Sequence, residues 1–329
     1  MALEPSLLQR LVEASSSEAW GAIRERVLAI NSSPLPSTGV AREAVRRDRE
    51  VGELDTFLSV VGWDLWQTFP SDVPTTADRL IQWWEQPFNA KAVLILDGLS
   101  LRELPWLLAE GRRRGFTFHN VDATASELPA ETTPFAQALG LNSRSQLQNN
   151  GGGLLHSLAP AQTECVDLPW QDCAGLVSPS NNWVFWHHWP DFKIHDGAGA
   201  GQGLEALATT AAEELTSDAF WAFVERLATG RRLVITSDHG YAATGHFFDA
   251  DEEQAAFLKK TFKSGRSIVG DGEPGPFTPP VAMQVQGSHG PHLLAVGRWK
   301  WRSQGGYPTL THGGLSLLEV LSPFIEITK

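Results

Sequence analysis

Three aspartates and three histidines of this chain stand where side chains can act on a ligand. Asp97 closes the apolar run AVLILDG, and Asp191 and His195 lie in PDFKIHDG with D-x-x-x-H spacing. Asp238 and His239 end RLVITSDHG, and His312 precedes two glycines and a run read as helical in THGGLSLLEVLSPF. Carboxylate oxygens with imidazole nitrogens form a ligand set well suited to Zn²⁺ and tolerable for Mn²⁺. Six such side chains exceed the needs of one catalytic zinc and match two cations ~4 Å apart. Each fragment alone also has a plain structural use. Asp-Gly after a strand makes a turn, and Asp-His-Gly makes a turn or a helix cap. The chain has ten histidines, among them His187, His188, His246, His289 and His292, so the joint order of the fragments carries the reading.

Residues this far apart in sequence meet only if strand ends gather them. A continuous apolar run such as 92–98 suits a strand covered on both faces, and further strands are read at 116–123, 181–189, 232–238 and 292–299. Helical patterns lie between, including 203–230, and LRELPWLLAEGRRRG reads as a helix closed by Gly115. The fold class expected is α/β, a mostly parallel sheet with helices on both faces. In such sheets ligands bind beyond the carboxyl ends of the strands. Residues 1–88 carry apolar residues at three-four spacing and read as a helical N-terminal region, with Thr76 a candidate cap for ADRLIQWWEQ. The division expected is 1–88 and 89–329. GAGAGQG (197–203) lacks G-x-G-x-x-G spacing and reads as a loop.

The 329 residues carry a formal net charge of −12, which argues against a sequence-independent grip on duplex DNA. Two divalent cations would outweigh three aspartates locally, so an anionic phosphate could still be drawn in. Cys165 and Cys173 make no disulfide framework and no C-x-x-C. No run approaches the ~20 apolar residues of a membrane span, and a soluble cytoplasmic protein is the expectation. Among 13 tryptophans, Trp183, Trp186 and Trp189 flank the D-x-x-x-H segment, and Trp299 and Trp301 follow a strand. Each is either core packing or a surface for stacking a base, worth ~1–3 kcal/mol.

The order strand-Asp-Gly, Thr at a helix start, D-x-x-x-H, S-D-H-G, then a late His-Gly resembles the alkaline phosphatase superfamily. VITSDHGY and THGGLSLLEVLSPF look most like the PglZ domain, found in BREX phage-defence systems and some two-component response regulators. The resemblance covers about residues 90–329 and leaves the helical start unexplained. SELPAETTPFAQALGL is similar to the P-x-x-T-x-P pattern of nucleotide pyrophosphatases and phosphodiesterases, with Pro129, Thr132 and Pro134 in register.

The resemblance implies an alkaline-phosphatase-like catalytic domain with Thr132 as nucleophile and Thr133 as its adjacent alternative; either could instead cap a helix. It implies one metal site of Asp191, His195 and His312, and another of Asp97, Asp238 and His239 beside the Thr132 oxygen. The activity implied is two-metal hydrolysis of a nucleotide or nucleic-acid phosphodiester through a covalent phospho-enzyme. Defence-system proteins are implied as partners. A phosphomonoesterase and a non-catalytic interaction module are the alternatives. Neither cysteine fits the C-x-P-x-R of sulfatases. DGLSLRE places Arg102 later than the arginine many PglZ domains carry, leaving its phosphate contact in doubt; Ser100 is a weaker candidate nucleophile. QNNGGG (148–153) offers an Asn to a phosphate or is a plain loop.

Overall fold

A computed structural model of the chain describes residues 3–36, 38–196, 203–262, 265–269, 277, 279, 281–287, 290–302 and 309–329. The stretch 197–202 of the glycine-rich segment and position 289 lie outside the described residues. Four of the five expected strands, joined by two others, form a six-stranded sheet of β1 (Lys91–Leu96), β2 (Thr117–Ala125), β3 (Gln162–Val166), β4 (Asn182–His187), β5 (Arg232–Thr236) and β6 (Leu321–Thr328), ordered β2-β6-β5-β1-β4-β3; β3 and β6 are the two that sequence reading did not place. β3, β4, β1 and β5 are parallel neighbours, while β6 runs antiparallel to both β5 and β2.

Side chains of a strand alternate between its faces. Ala92, Leu94 and Leu96 of β1 therefore join one apolar cluster, and Val93 and Ile95 join another. The N-terminal helices are α1 (Pro5–Glu13), α2 (Ser16–Ser32), α3 (Val40–Val61), α4 (Trp63–Asp72) and α5 (Thr76–Trp84). They are followed by α6 (Leu104–Arg113), α7 (Thr132–Ala138), α8 (Trp170–Leu176), α9 (Asp191–Asp196), α10 (Leu204–Thr216) and α11 (Asp218–Ala228). Side chains of α2, α3, α6, α10 and α11 pack in the first cluster, and those of α5 and α7 in the second. The sheet is thus mostly parallel with helices on both faces. Among the described residues no helix is long and apolar enough to cross a membrane.

Several local expectations differ from the structure. The segment around 292–299 is not in the main sheet. Gly290–Ala295 sits in a separate antiparallel sheet with Ser267–Val269 and Ala282–Gly287. The run after His312 is helical only over Leu317–Val320 and then becomes β6. The 203–230 helix is two, because the Ser217 hydroxyl accepts from Phe220 N and starts α11 afresh. Thr75, not Thr76, caps α5 by accepting from Asp78 N. The Thr76 hydroxyl instead lies 2.7 Å from that of Thr124, in the core.

The N-terminal helices are tied to the sheet by charge as well as by shared apolar packing. Asp48 of α3 accepts from Arg102 (2.6 and 2.9 Å) and from Arg298 (2.6 Å). Asp55 accepts from Arg298 (2.9 Å) and from the Leu317 N–H (2.7 Å). All four ionic groups are nearly or wholly shielded from water, so each cation needs its carboxylates in place.

Candidate active site

The site grows from the register of three neighbouring parallel strands. Leu96 of β1 pairs with His187 of β4, and Ile95 with Thr236 of β5, so the three strands stop at the same edge. The residues that follow each strand must therefore meet. Asp97 N–H donates to the His187 carbonyl (2.9 Å), and Asp191 N–H donates to the Asp97 carbonyl (2.9 Å). Gly98 adopts φ +74°, and a Cβ there would sit 3.3 Å from the Cα of Asp191. That turn needs glycine on both counts. His312 arrives by another route. Leu310–Thr311 pairs antiparallel with Ala242–Ala243, which returns the chain to the Asp238–His239 corner.

The six predicted side chains converge. Asp191 Oδ1 lies 3.5 Å from His195 Nε2 and 3.6 Å from His312 Nε2, and the two nitrogens are 3.4 Å apart. Tetrahedral Zn²⁺ with ligands at ~2.05 Å requires ligand atoms ~3.3 Å apart, so this triangle has the size for one cation. His239 Nε2 lies 3.7 Å from Asp97 Oδ1 and 3.6 Å from Asp238 Oδ2. Asp97, Asp191 and His239 also bring ligand atoms within 4.8 Å of one another, which puts Asp191 between the two sets.

Orphaned atoms support the fit. Asp191 Oδ1 and Asp238 Oδ2 are buried with no hydrogen-bond partner. Leaving such groups unmatched is costly, and a cation would satisfy them. The other Asp238 oxygen accepts from Gly98 N and His239 N at 3.0 Å, while the Ser237 hydroxyl donates to the His239 carbonyl at 2.5 Å. His239 Nδ1 lies 2.8 Å from the Gly240 carbonyl, a contact that fixes the Nδ1–H tautomer and turns Nε2 toward the cluster.

Electrostatics divide the histidines. Burial pushes His312 down to about 4, helped by His239, so its ring is neutral and ready to ligate. Burial also pushes on His239, but the Asp238 and Asp191 carboxylates outweigh it and the net shift is upward. His195 is raised by the Asp191 carboxylate, whose Oδ1 lies 3.5 Å from its Nε2. For Asp191 burial opposes ionisation, yet the surrounding histidines hold it well below the usual carboxylate range.

Thr132 is the first residue of α7, whose cap position is Glu131. Its hydroxyl therefore does not cap the helix. It lies 3.4 Å from Asp97 Oδ1 and 3.5 Å from His239 Nε2. Thr133 is exposed and shows no bond to the cluster among the described residues.

Other candidates fall elsewhere. Arg102 is buried between Asp48 and the Tyr241 carbonyl, behind the site. The Ser100 hydroxyl donates to the Leu318 carbonyl and is enclosed, which removes it as a nucleophile. Trp183, Trp186, Trp189 and Trp301 are core residues, closed to a stacking base. Trp186 Nε1 donates to Asp97 Oδ2 at 3.2 Å, a supporting contact rather than a binding surface. Asn150 Oδ1 accepts from Thr163 N. Burial pushes the Cys165 thiol up to about 12, so it stays protonated.

Sequence reasoning missed Arg144, whose guanidinium contacts Asp97 Oδ2. It stands in NSRSQLQ, a polar loop with no motif, and only its distance from Thr132 along the chain hinted at the site.

No protein-family model matches the chain, and no curated protein matches it. Its fold is similar to murine ectonucleotide pyrophosphatase/phosphodiesterase 5, at 11% identity over 73% of this chain and 88% of that one, TM-score 0.49. An inactive variant of the murine protein in complex with AMP aligns at 10% identity over 73% and 88%, TM-score 0.49. The human protein aligns at 11% identity over 73% and 87%, TM-score 0.45.

Proposed function

We propose that this chain is a two-metal phosphodiesterase using Thr132 as nucleophile. One observation carries the reading: the Thr132 hydroxyl sits 3.4 and 3.5 Å from Asp97 and His239, at the border of a six-ligand cluster. Asp191, His195 and His312 would hold one cation. Asp97, Asp238 and His239 would hold the other, with Asp191 near both. Zn²⁺ suits this nitrogen and oxygen set best, and Mn²⁺ is tolerable. Divalent cations held there would supply Lewis-acid charge to acidify the hydroxyl and offset the charge of the phosphoryl and leaving oxygens.

The protein's own part is positional. Asp97, whose carboxylate oxygen has a lone pair to spare, aims the Thr132 hydroxyl; the hydroxyl proton passes to solvent and the oxygen bonds to phosphorus. The P–O bond to the leaving alcohol breaks, and that oxygen takes a proton. Water then attacks phosphorus in phosphothreonine, the Thr132 oxygen leaves and regains a proton, and a phosphomonoester is released. A nucleotide or nucleic-acid diester is the substrate class proposed. The VITSDHGY and THGGLS motifs support a PglZ-type role in phage defence or signalling, with protein partners and a cytoplasmic setting. Residues 1–88 would buttress the catalytic unit 89–329.

A phosphomonoesterase is the second reading, favoured by the Arg144 guanidinium beside Asp97, which complements a dianionic phosphoryl group. Assays with bis-p-nitrophenyl phosphate and p-nitrophenyl phosphate, with metal content measured on wild type and Thr132→Ala, separate the cases. Diester turnover lost in the mutant supports the proposal, and preference for the monoester supports the second reading. Bound metal without turnover of either would make the chain a non-catalytic interaction module.

A further inference from the structure

We propose that the amino-terminal edge of the sheet, at the far end of the strands from the metal ligands, holds a second anion site that takes the phosphate group of a small molecule. This site is independent of the diesterase reading, because it shares no residue with the metal cluster.

Four arginines are buried among the described residues: Arg47, Arg102, Arg231 and Arg266. Arg47 pairs with Glu43 (2.9 Å), Arg102 with Asp48 (2.6 Å) and Arg266 with Glu319. Arg231 meets no carboxylate among the described residues. Its guanidinium donates only to backbone carbonyls. Nε reaches Ser180 (2.7 Å), one terminal nitrogen reaches Leu227 and Arg226 (3.1 and 3.3 Å), and the other reaches Ser178 (3.1 Å) and Ser180 again. Arg226 and Leu227 lie in the last turn of α11, and a helix end of this kind carries roughly half a negative charge. That offsets part of the guanidinium's charge and leaves the rest without an ionic partner, whereas a buried charge ordinarily has one. Arg226 adds a second cation. Its Nε donates to the Val177 carbonyl (3.1 Å), and its terminal nitrogens have no protein partner among the described residues. Burial and then the Arg226 charge both lower the Arg231 pKa, so the two cations repel each other.

The two guanidiniums line a cavity of about 240 Å³, with Ser178, Ser180, Asn181 and Thr229 completing its polar wall. Its place follows from the chain path, because Ala90, Asn181 and Arg231 each come just before a parallel strand, β1, β4 and β5. The six residues of β1, at ~3.3 Å each, put the metal ligands about 20 Å away. Among the described residues no carboxylate lines the cavity, in a chain of net charge −12. Glu225 and Glu326, on the elements beside it, have cations of their own: Lys329 Nζ lies 3.5 Å from Glu225, and Arg232 Nε lies 2.6 Å from Glu326. The Ser178 hydroxyl and the Asn181 amide are exposed and make no side-chain hydrogen bond among the described residues. An oxyanion seated here accepts from both and from the Arg226 fork, with the Arg231 charge behind. Phosphate suits it better than a carboxylate, since it carries roughly two negative charges at neutral pH and presents oxygens in four directions. The volume falls below the ~300–1,000 Å³ of sites that enclose a whole organic ligand, so the group enclosed is the phosphate itself.

The test uses the metal-loaded full chain and reads each arginine separately, so phosphate at the metal cluster does not confuse it. Phenylglyoxal labels accessible guanidiniums, and peptide mass spectrometry follows Arg226, with Arg42, whose side chain is 87% exposed, as the control. Millimolar inorganic phosphate should slow labelling of Arg226 by at least about threefold relative to Arg42, and acetate at equal ionic strength should not. Glycerol phosphate separates the sources: protection equal to that by inorganic phosphate assigns the site to the head group of an ester, and weaker protection assigns it to free phosphate. In Asn181→Ala, which keeps both guanidiniums, the same protection should need about tenfold more phosphate. Labelling of Arg226 and Arg42 slowed alike overturns the proposal, as does acetate protecting as well as phosphate. Protection unchanged in both Asn181→Ala and Ser178→Ala overturns it too. Each of these results leaves turnover at the metal cluster untouched, so the diesterase reading stands or falls on its own assays.

Discussion

Asp97, Asp238 and His239 have no side-chain exposure at all, whereas His195, across the same cluster, is 59% exposed. The inner three follow β1 and β5 directly, where strand register fixes them. Their outward atoms are pinned by Gly98 N, His239 N, Trp186 Nε1 and the Gly240 carbonyl. The outer three come from α9, only six residues long, and from the residue after a two-residue strand. His312 Nδ1 has no hydrogen-bond partner among the described residues. Pre-oriented ligands lose less freedom on binding a cation. The difference teaches that one cation should be held tightly by the frame of the sheet and the other should exchange more readily.

Four experiments break or sharpen this contrast. Thr132→Ala removes the oxygen facing the inner half but no carboxylate or imidazole. It should cut turnover by at least about a thousandfold, ~4 kcal/mol, while elemental analysis still finds both metals. Asp48→Ala strikes behind the inner half, where Arg102 links Asp48 to the Tyr241 carbonyl. Leaving Arg102 and Arg298 without it should cost ~3–5 kcal/mol of stability in denaturant unfolding. Ser237→Ala removes the hydroxyl that holds the His239 carbonyl at 2.5 Å, and inner-metal affinity should fall ~10–100-fold in a chelator competition. A loss of the outer metal instead would break the contrast. His195→Ala should cost the outer metal about tenfold in affinity and leave the inner one in place.

Acidity should act on the same two halves. His239 and His195 have raised pKa values in the metal-free fold, so their protonated forms add stability that is fully present below the ordinary ~6.5 and lost as pH rises through the raised values. Metal must displace those protons, so its affinity falls as pH drops through the same range. His312, held down to about 4, works the other way. Its burial as a neutral ring destabilises the fold as pH falls from ~6.5 toward 4. Metal retained after dialysis at stepped pH should decline first from the exposed half, and loss from the inner half first would overturn the ranking.

Much of this site was legible because its residues sit at the ends of apolar runs. Asp97, Asp238 and His239 could be placed from the strands before them alone. Elsewhere local sequence misled. LSLLEVLSPFIEIT is apolar in a way that suits a buried helix or a buried strand, and Pro323 argues against a central strand. The structure makes Leu317–Val320 helical and Leu321–Thr328 a central strand, because β6 pairs with β5 only from Phe324 onward and the missing proline N–H falls outside that ladder. Arg144 was invisible for a different reason, since a lone arginine in a polar loop shows no period or motif.

The sequence by itself determined the chemistry on offer: which side chains could ligate, a short set of hydroxyls with Thr132 and Thr133 foremost, and which runs must be buried to bring them to an edge. Local residue types carry that information, because apolar periodicity and turn chemistry act over a few neighbours. Only the tertiary structure decided that Asp191 stands between both ligand sets, that Arg102 belongs to a buried ion network and that Arg144 touches Asp97, and that one half of the cluster is sealed while His195 of the other faces solvent. Those outcomes depend on strand order and on contacts between residues tens to hundreds of positions apart, which no local pattern encodes.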